Sequence, residues 1–148
     1  QYSKQVEAYS NEKNLECMKI SAKIESEISS FKLESEKTEF LESIGLQDTS
    51  LSKLISKGYE ILDLITFFTS GPKESRAWSI KKGTFVPDAG AKIHTDFKTG
   101  FIKAEVISYE DFVKFNGGAK CKENGKLKLE GKEYIVNDGD VITFRFNV

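Results

Sequence analysis

Lys126-Leu127-Lys128-Leu129-Glu130-Gly131-Lys132-Glu133-Tyr134-Ile135-Val136-Asn137-Asp138-Gly139-Asp140-Val141-Ile142-Thr143-Phe144-Arg145-Phe146 is the stretch that decides the fold. Apolar and polar residues alternate in Lys126 to Leu129. They do so again where Ile142, Phe144 and Phe146 interleave with Thr143 and Arg145, which is the period of a strand with one face buried. Glu130-Gly131 and Asn137-Asp138-Gly139-Asp140 supply turn chemistry between the runs, and Tyr134 to Val136 reads as a middle strand. The stretch predicts three strands at the C-terminus.

Working upstream, Phe101 to Ile107 also alternates, and the spacing predicts Ile102, Ala104 and Val106 on one face with Lys103 and Glu105 on the other. Asp88 to Phe97 and Tyr109 to Phe115 read as short helices. Leu64 to Thr69 and Arg76 to Lys81 are aromatic and β-branched runs joined by Ser70-Gly71-Pro72-Lys73-Glu74-Ser75, a hairpin with a longer loop. The order strand, helix, strand, short helix and three strands from about residue 76 fits a small α+β domain with a helix on one face of a sheet, for which a ubiquitin-like β-grasp suffices.

The first half reads as helical with one strand. Tyr2, Val6 and Tyr9 recur at helical spacing, and Asn11 to Asn14 reads as a break. Leu15 to Ile20 suits a buried strand. Ile20, Ile24, Ile28 and Phe31 then stripe one helix face. A second helix begins near Glu36, turns Phe40, Leu41 and Ile44 inward, and stops at Gly45 with Leu46 as the hydrophobic contact beyond it. Asp48, Thr49 and Ser50 offer an N-cap to a third, striped by Leu51, Leu54 and Ile55 and ended by Gly58.

Composition excludes several classes. The 148 residues are 39% hydrophobic and 30% charged, enough apolar content to exclude disorder as the main state. The longest apolar run, Ile61 to Phe68, is broken by Asp63 and falls far short of the roughly 20 residues a membrane span needs. No signal peptide is evident, no membrane is expected, and a reducing cytoplasm is the expected compartment. The first residue is Gln1 rather than Met, which reads as a piece of something longer. Two cysteines and one histidine complete neither a disulfide scaffold nor a zinc site, so no metal ligands are assigned. Cys17 is expected to be buried and inert, Cys121 to lie in a lysine-rich loop that favours its thiolate. Residues 1–70 carry a net charge of −4 and residues 71–148 one of +3, a modest lean toward an anionic partner on the C-terminal side.

No catalytic set emerges. Gly125 to Gly131 with Lys132 resembles a phosphate loop, but five residues separate the glycines, Glu133 replaces the magnesium-binding Ser or Thr, and the pair brackets a strand instead of opening a helix. His94 near Asp96 lacks a serine in a nucleophile-elbow pattern. What remains is a binding surface. His94, Lys81, Lys82, Lys92 and Lys98, with Lys103, Lys120 and Lys122, could face phosphates, and the imidazole could stack on a base. Phe85, Phe97, Phe101, Phe112 and Phe115 are expected mostly in the core.

Arg76-Ala77-Trp78-Ser79-Ile80, Ile93-His94-Thr95-Asp96-Phe97, Gly100-Phe101-Ile102, Ala104 to Tyr109, Glu130 to Val141 and the terminal Phe144-Arg145-Phe146-Asn147-Val148 together resemble the C-terminus of the Obg-like ATPases of the YchF subfamily. Tyr59-Glu60 and Thr66 to Thr69 before Gly71 extend the resemblance upstream. It implies that residues 65–148 form a TGS domain of β-grasp type. Residues 1–64 would then be the mostly helical C-terminal part of a P-loop α/β nucleotide-binding domain, with Leu15 to Ile20 its last strand and Ser21-Ala22-Lys23 a motif touching the nucleotide base.

The implied parent hydrolyses ATP or GTP with magnesium and associates with the ribosome or RNA. The chain itself is expected to hold no cofactor and no catalytic residue, because the phosphate loop, the magnesium-binding switches, the helical arm and the base-specificity motif of these ATPases do not occur in its 148 residues. Its other expected partner is the remaining N-terminal part of the nucleotide-binding domain. The competing function is a regulatory protein–protein module of β-grasp type without direct RNA contact.

Overall fold

The computed structural model of the chain describes residues 2–147. It divides into two compact units, one up to Gly58 and the other from Tyr59 onward.

The first unit is built of helices α1 (Tyr2–Lys13), α2 (Ala22–Ser30), α3 (Glu34–Ser43) and α4, which begins in this unit and runs from Ser50 to Ile61. Their starts and stops follow from side-chain chemistry. Ser21 caps α2 by accepting from the Ile24 N–H at 3.4 Å, and Thr49 Oγ1 caps α4 by accepting from the Ser52 N–H at 3.1 Å. Gly45, at φ +72°, ends α3, and the Leu46 N–H returns to the Leu41 carbonyl at 2.9 Å as expected for a Gly stop. Glu25 of α2 accepts from the Ser50 N–H at 2.7 Å and so ties α2 to the start of α4.

Three expectations for this unit need correction. Leu15 to Ile20 forms no strand, and Leu15, Cys17 and Ile20 are exposed. A strand needs a ladder, and no strand among the described residues of this unit offers one. Ion pairs of Lys19 with Glu7 and of Glu16 with Lys57 (3.0 Å) hold the segment instead. The helix break falls at Asn14, at φ +53°, because Asn11 to Lys13 continue α1. Gly58 does not end α4 either; the helix runs on to Ile61 and absorbs the roughly 1 kcal/mol that a helical glycine costs relative to alanine.

The second unit is a five-stranded mixed sheet in the order β2-β1-β5-β3-β4. Its strands are β1 (Leu64–Ser70), β2 (Ser75–Lys81), β3 (Phe101–Ser108), β4 (Lys128–Glu130) and β5 (Asp140–Phe146). The expected hairpin is present, with Leu64 opposite Lys81 and Ser70 opposite Ser75. β1 and β5 run parallel at the centre, and the other neighbours are antiparallel.

Helices cover both faces, not one. Ala104, Val106, Ile142 and Phe144 point to the face under α5 (Val86–Ala91) and α6 (Thr95–Thr99), and they join Phe67, Val86 and Ala89 in the main core. On the other face Ile107 and Val141 are buried near α7 (Tyr109–Lys114) and α8 (Gly118–Glu123), where the Phe68 and Tyr109 rings meet at 5.7 Å.

The turn motif Asn137-Asp138-Gly139-Asp140 staples the central strands together. Asp138 Oδ1 accepts from the Thr66 N–H at 2.7 Å, the Gly139 N–H donates to the Thr66 carbonyl at 2.8 Å, and buried Asp140 accepts from Tyr134 Oη and the Asn137 N–H, each at 2.8 Å.

Several finer expectations yield to packing. A register shift between Phe101 and Lys103 turns Phe101 inward and leaves Ile102 58% exposed. Asp88 to Phe97 is two helices, because the chain leaves helical geometry before His94, which starts α6 from an extended conformation. Tyr134 to Val136 contributes only an isolated bridge between Ile135 and Phe85. Those two residues are exposed while Val86 and Val136 beside them are buried, so Phe85 lies on the outer side of the bridge and not in the core. Cys121 sits in α8, fully buried, with Sγ donating to the Asp111 carbonyl at 3.3 Å. Burial first, and the Asp111 carboxylate second, push its thiol pKa up, the reverse of activation.

Candidate functional site

The base-contacting candidate begins at the first turn of α2. Ser21 is its N-cap, Ala22 its first residue and Lys23 follows, all three exposed. Ser21 lines a concavity of about 260 Å³ with Lys19, Ile24, Asp48, Ser50 and Lys53. Small residues at a helix start let a planar group approach backbone N–H groups, and two lysines and one aspartate supply polar partners at the rim. The Ser21 hydroxyl already accepts from the Ile24 N–H, which leaves its O–H as a donor and one lone pair as an acceptor.

The near-match to a phosphate loop at Gly125 to Gly131 lacks the geometry of one. Gly125 and Gly131 flank β4, and no helix opens after Gly131, so no row of N–H groups converges on a phosphate there. Among the described residues no three His, Cys, Asp or Glu side chains gather where they could hold a metal ion. No helix of the described residues is long and apolar enough to cross a membrane.

Five of the basic candidates separate into two groups, apart from Lys103 in β3 and Lys120 and Lys122 in α8. Lys92, His94 and Lys98 belong to the α5–α6 segment, and all three are exposed. His94 Nδ1 accepts from the Asp96 N–H at 3.3 Å as the cap of α6, which places the proton of the neutral ring on Nε2. The Asp96 carboxylate is 3.2 Å from the same nitrogen and would pair with the protonated ring. Lys98 pairs with Asp88 at 2.5 Å, whereas Lys92 makes no ion pair among the described residues.

Lys81 and Lys82 stand at the end of β2. Lys81 Nζ donates to the Leu62 carbonyl at 2.6 Å, and the Lys82 N–H donates to the Asp63 carbonyl at 2.8 Å, which leaves the Lys82 ammonium without a partner among the described residues. Of these five, then, two ammonium groups are uncommitted among the described residues.

One cation that the linear reading does not single out is Arg145. Its Nε and Nη2 donate to the two carboxylate oxygens of Glu105 at 3.1 Å each, a fork-to-fork pair across β3 and β5. The arginine's hydrogen bonds hold the Glu105 carboxyl below its usual range, and Lys122 and Lys103 add to that effect. Forty residues separate the pair in sequence, and only strand register brings it together.

Known proteins resemble this chain in sequence and in fold. The family described as "YchF-GTPase_C: Protein of unknown function (DUF933)" matches residues 64–147. The ribosome-binding ATPase YchF of Haemophilus influenzae is 55% identical over 129 residues, 87% of this chain and 35% of that protein. The ribosome-binding ATPase YchF of Bacillus subtilis is 50% identical over 143 residues, 97% of this chain and 39% of that protein. The solved structure of the Schizosaccharomyces pombe YchF GTPase superposes with a TM-score of 0.81 at 31% identity, over 98% of this chain and 38% of that one. The chain thus spans little more than a third of the length of the relatives it matches.

Proposed function

Because the chain belongs to the YchF-GTPase_C family, we propose that it is the C-terminal part of a ribosome-associated, ATP- or GTP-hydrolysing P-loop protein, and that residues from about 65 form a TGS domain serving as its RNA- and ribosome-binding module. The observation that carries this reading is the 50% identity across nearly the whole chain with a protein named a ribosome-binding ATPase. The mixed sheet β2-β1-β5-β3-β4 with a helical pair seated on its core face supports the β-grasp assignment. In this reading Ser21, Ala22 and Lys23 touch the base of the nucleotide, the phosphates and magnesium are held by the parent's other part, the chain alone does not hydrolyse nucleotide, and the protein works in the cytoplasm.

Cosedimentation of the full chain with ribosomes at increasing salt tests the module. Binding present at low salt and falling steeply as salt rises is the expected result, since lysine–phosphate contacts release counterions. No binding at low salt overturns the reading. His94→Ala is expected to weaken RNA binding; an unchanged affinity removes the stacking role from His94.

A protein–protein module is the second reading, and one observation favours it. Lys98 and His94 each face a carboxylate of their own segment, which reduces the field they offer to a phosphate. Salt-insensitive cosedimentation would select it.

A further inference from the structure

The sheet face opposite the main core is covered at one end and open at the other. Ile107 and Val141 are buried at the covered end. At the open end strand register sets Lys103 directly opposite Arg145 and Glu105 opposite Thr143, with Leu129 of β4 opposite Glu105 on its other side. Lys103, Thr143, Arg145 and Leu129 are all exposed.

Two cations facing each other across adjacent strands cost stability in a sheet. Glu105 relieves part of that cost by holding two N–H groups of Arg145, which leaves three of the five guanidinium donors unused by it. Lys122 of α8, also exposed, lies within the electrostatic reach of the same carboxylate. Three cations around one anion leave an excess of positive charge on an open surface. The α5–α6 segment differs, because there Lys98 and His94 each have a carboxylate of their own.

We propose that Lys103, Lys122 and Arg145 form a second RNA-contacting surface, on the open end of this sheet face, that engages the phosphate backbone. The inference rests on the RNA-binding reading above and assigns it a place that the linear sequence does not show. The chemistry favours RNA. Glu105 fixes the plane of the Arg145 guanidinium, so its remaining donors are presented as a pre-oriented fork of the kind that suits phosphate oxygens. The lysines add sequence-independent charge, and a bound phosphate removes the repulsion between Lys103 and Arg145.

The test uses the full chain and a labelled, mixed-sequence RNA duplex of about 16 base pairs, followed by fluorescence anisotropy from roughly 50 to 200 mM salt. The double substitution Lys103→Ala and Lys122→Ala is expected to weaken binding about tenfold or more at low salt. It should also reduce the slope of log affinity against log salt by about two, one for each lysine withdrawn from a phosphate. The thermal midpoint should hold or rise, because a like-charge repulsion is relieved; a fall in midpoint with unchanged RNA affinity would mark the lysines as structural and overturn the proposal.

If Lys92→Ala with Lys98→Ala abolishes duplex binding while the Lys103/Lys122 double variant binds like the parent chain, RNA binding stands and this surface fails. If the unmodified chain binds neither duplex nor ribosomes at low salt, the RNA-binding reading fails and the surface with it. Salt-insensitive ribosome binding that disappears in the Lys103/Lys122 double variant assigns the face to a protein partner and overturns the RNA assignment.

Discussion

Up to Gly58, the only buried apolar side chains among the described residues are Ile28 and Leu41, whereas from Tyr59 onward eleven buried apolar residues form one connected core. Both regions have regular helices with amphipathic stripes. In the first region the stripes stay in the open: Val6 and Tyr9 of α1 and Leu51 and Leu54 of α4 are each at least half exposed. In the second, Val86 and Ala89 of α5 and Cys121 of α8 meet the rest of the unit and are fully buried. Periodicity therefore marks the face that gains from burial, and only a partner surface turns that gain into stability.

The sharpest way to break this contrast is to empty one core position on each side. Phe67 is fully buried and meets the Phe144 ring at 6.0 Å, so Phe67→Ala should cost about 3–5 kcal/mol. Leu51→Ala, at a position 60% exposed, should change stability by less than about 0.5 kcal/mol. Urea unfolding followed by the single tryptophan, Trp78 in β2, reads the first value directly. Equal costs at the two positions would mean that Leu51 is covered in solution.

Legibility in the sequence follows the same divide. The hairpin of β1 and β2, the inward set Ile142, Phe144 and Phe146 of β5, and the Gly45 stop of α3 can be read because each depends on neighbours within a few residues. Leu15 to Ile20 misleads because a short apolar run reports only that a strand is possible, and pairing decides whether one forms. Ile102 falls on the unexpected face because a one-residue register shift exchanges the faces of a strand. Among the site candidates, the lysines are visible as charges, but their commitments are not. Neither the Lys98–Asp88 pair nor the Arg145–Glu105 pair follows from spacing, and both change what a cation can offer a ligand.

Glycines give the next largest test. A Cβ at Gly100 would lie 1.8 Å from the Asn147 carbonyl oxygen, so the backbone after β5 must move to admit it. Gly100→Ala should cost about 1–3 kcal/mol, in the range of overpacked sites. At Gly58, inside α4, nothing lies within 4 Å of an added Cβ, and Gly58→Ala should stabilise the helix by about 1 kcal/mol. Thermal unfolding of the two variants should therefore shift in opposite directions, and a loss at both positions would show that α4 is not helical at Gly58 in solution.

The smallest expected effects come from titration, and they too separate the regions. Burial, followed by the hydrogen bond to Asp140, pushes the Tyr134 phenol up to about 12. Because the folded value is raised, the stability it contributes is complete below the ordinary tyrosine range near 10 and is lost as pH climbs toward 12. Glu25 works at the other end of the scale. Its hydrogen bonds with Ser50 lower its pKa, so its contribution is complete above the ordinary glutamate range and fades as pH falls through the depressed folded value. Acid should thus loosen the α2–α4 tie, while alkali should loosen the Tyr134–Asp140–Asn137 network beside β5. Amide hydrogen exchange measured across both pH ranges resolves the two effects by position. Glu25→Gln should make the exchange of α2 and the start of α4 insensitive to acid and leave the alkaline response of β5 unchanged. Acid sensitivity that persists in that variant would place the titrating group elsewhere in the first unit.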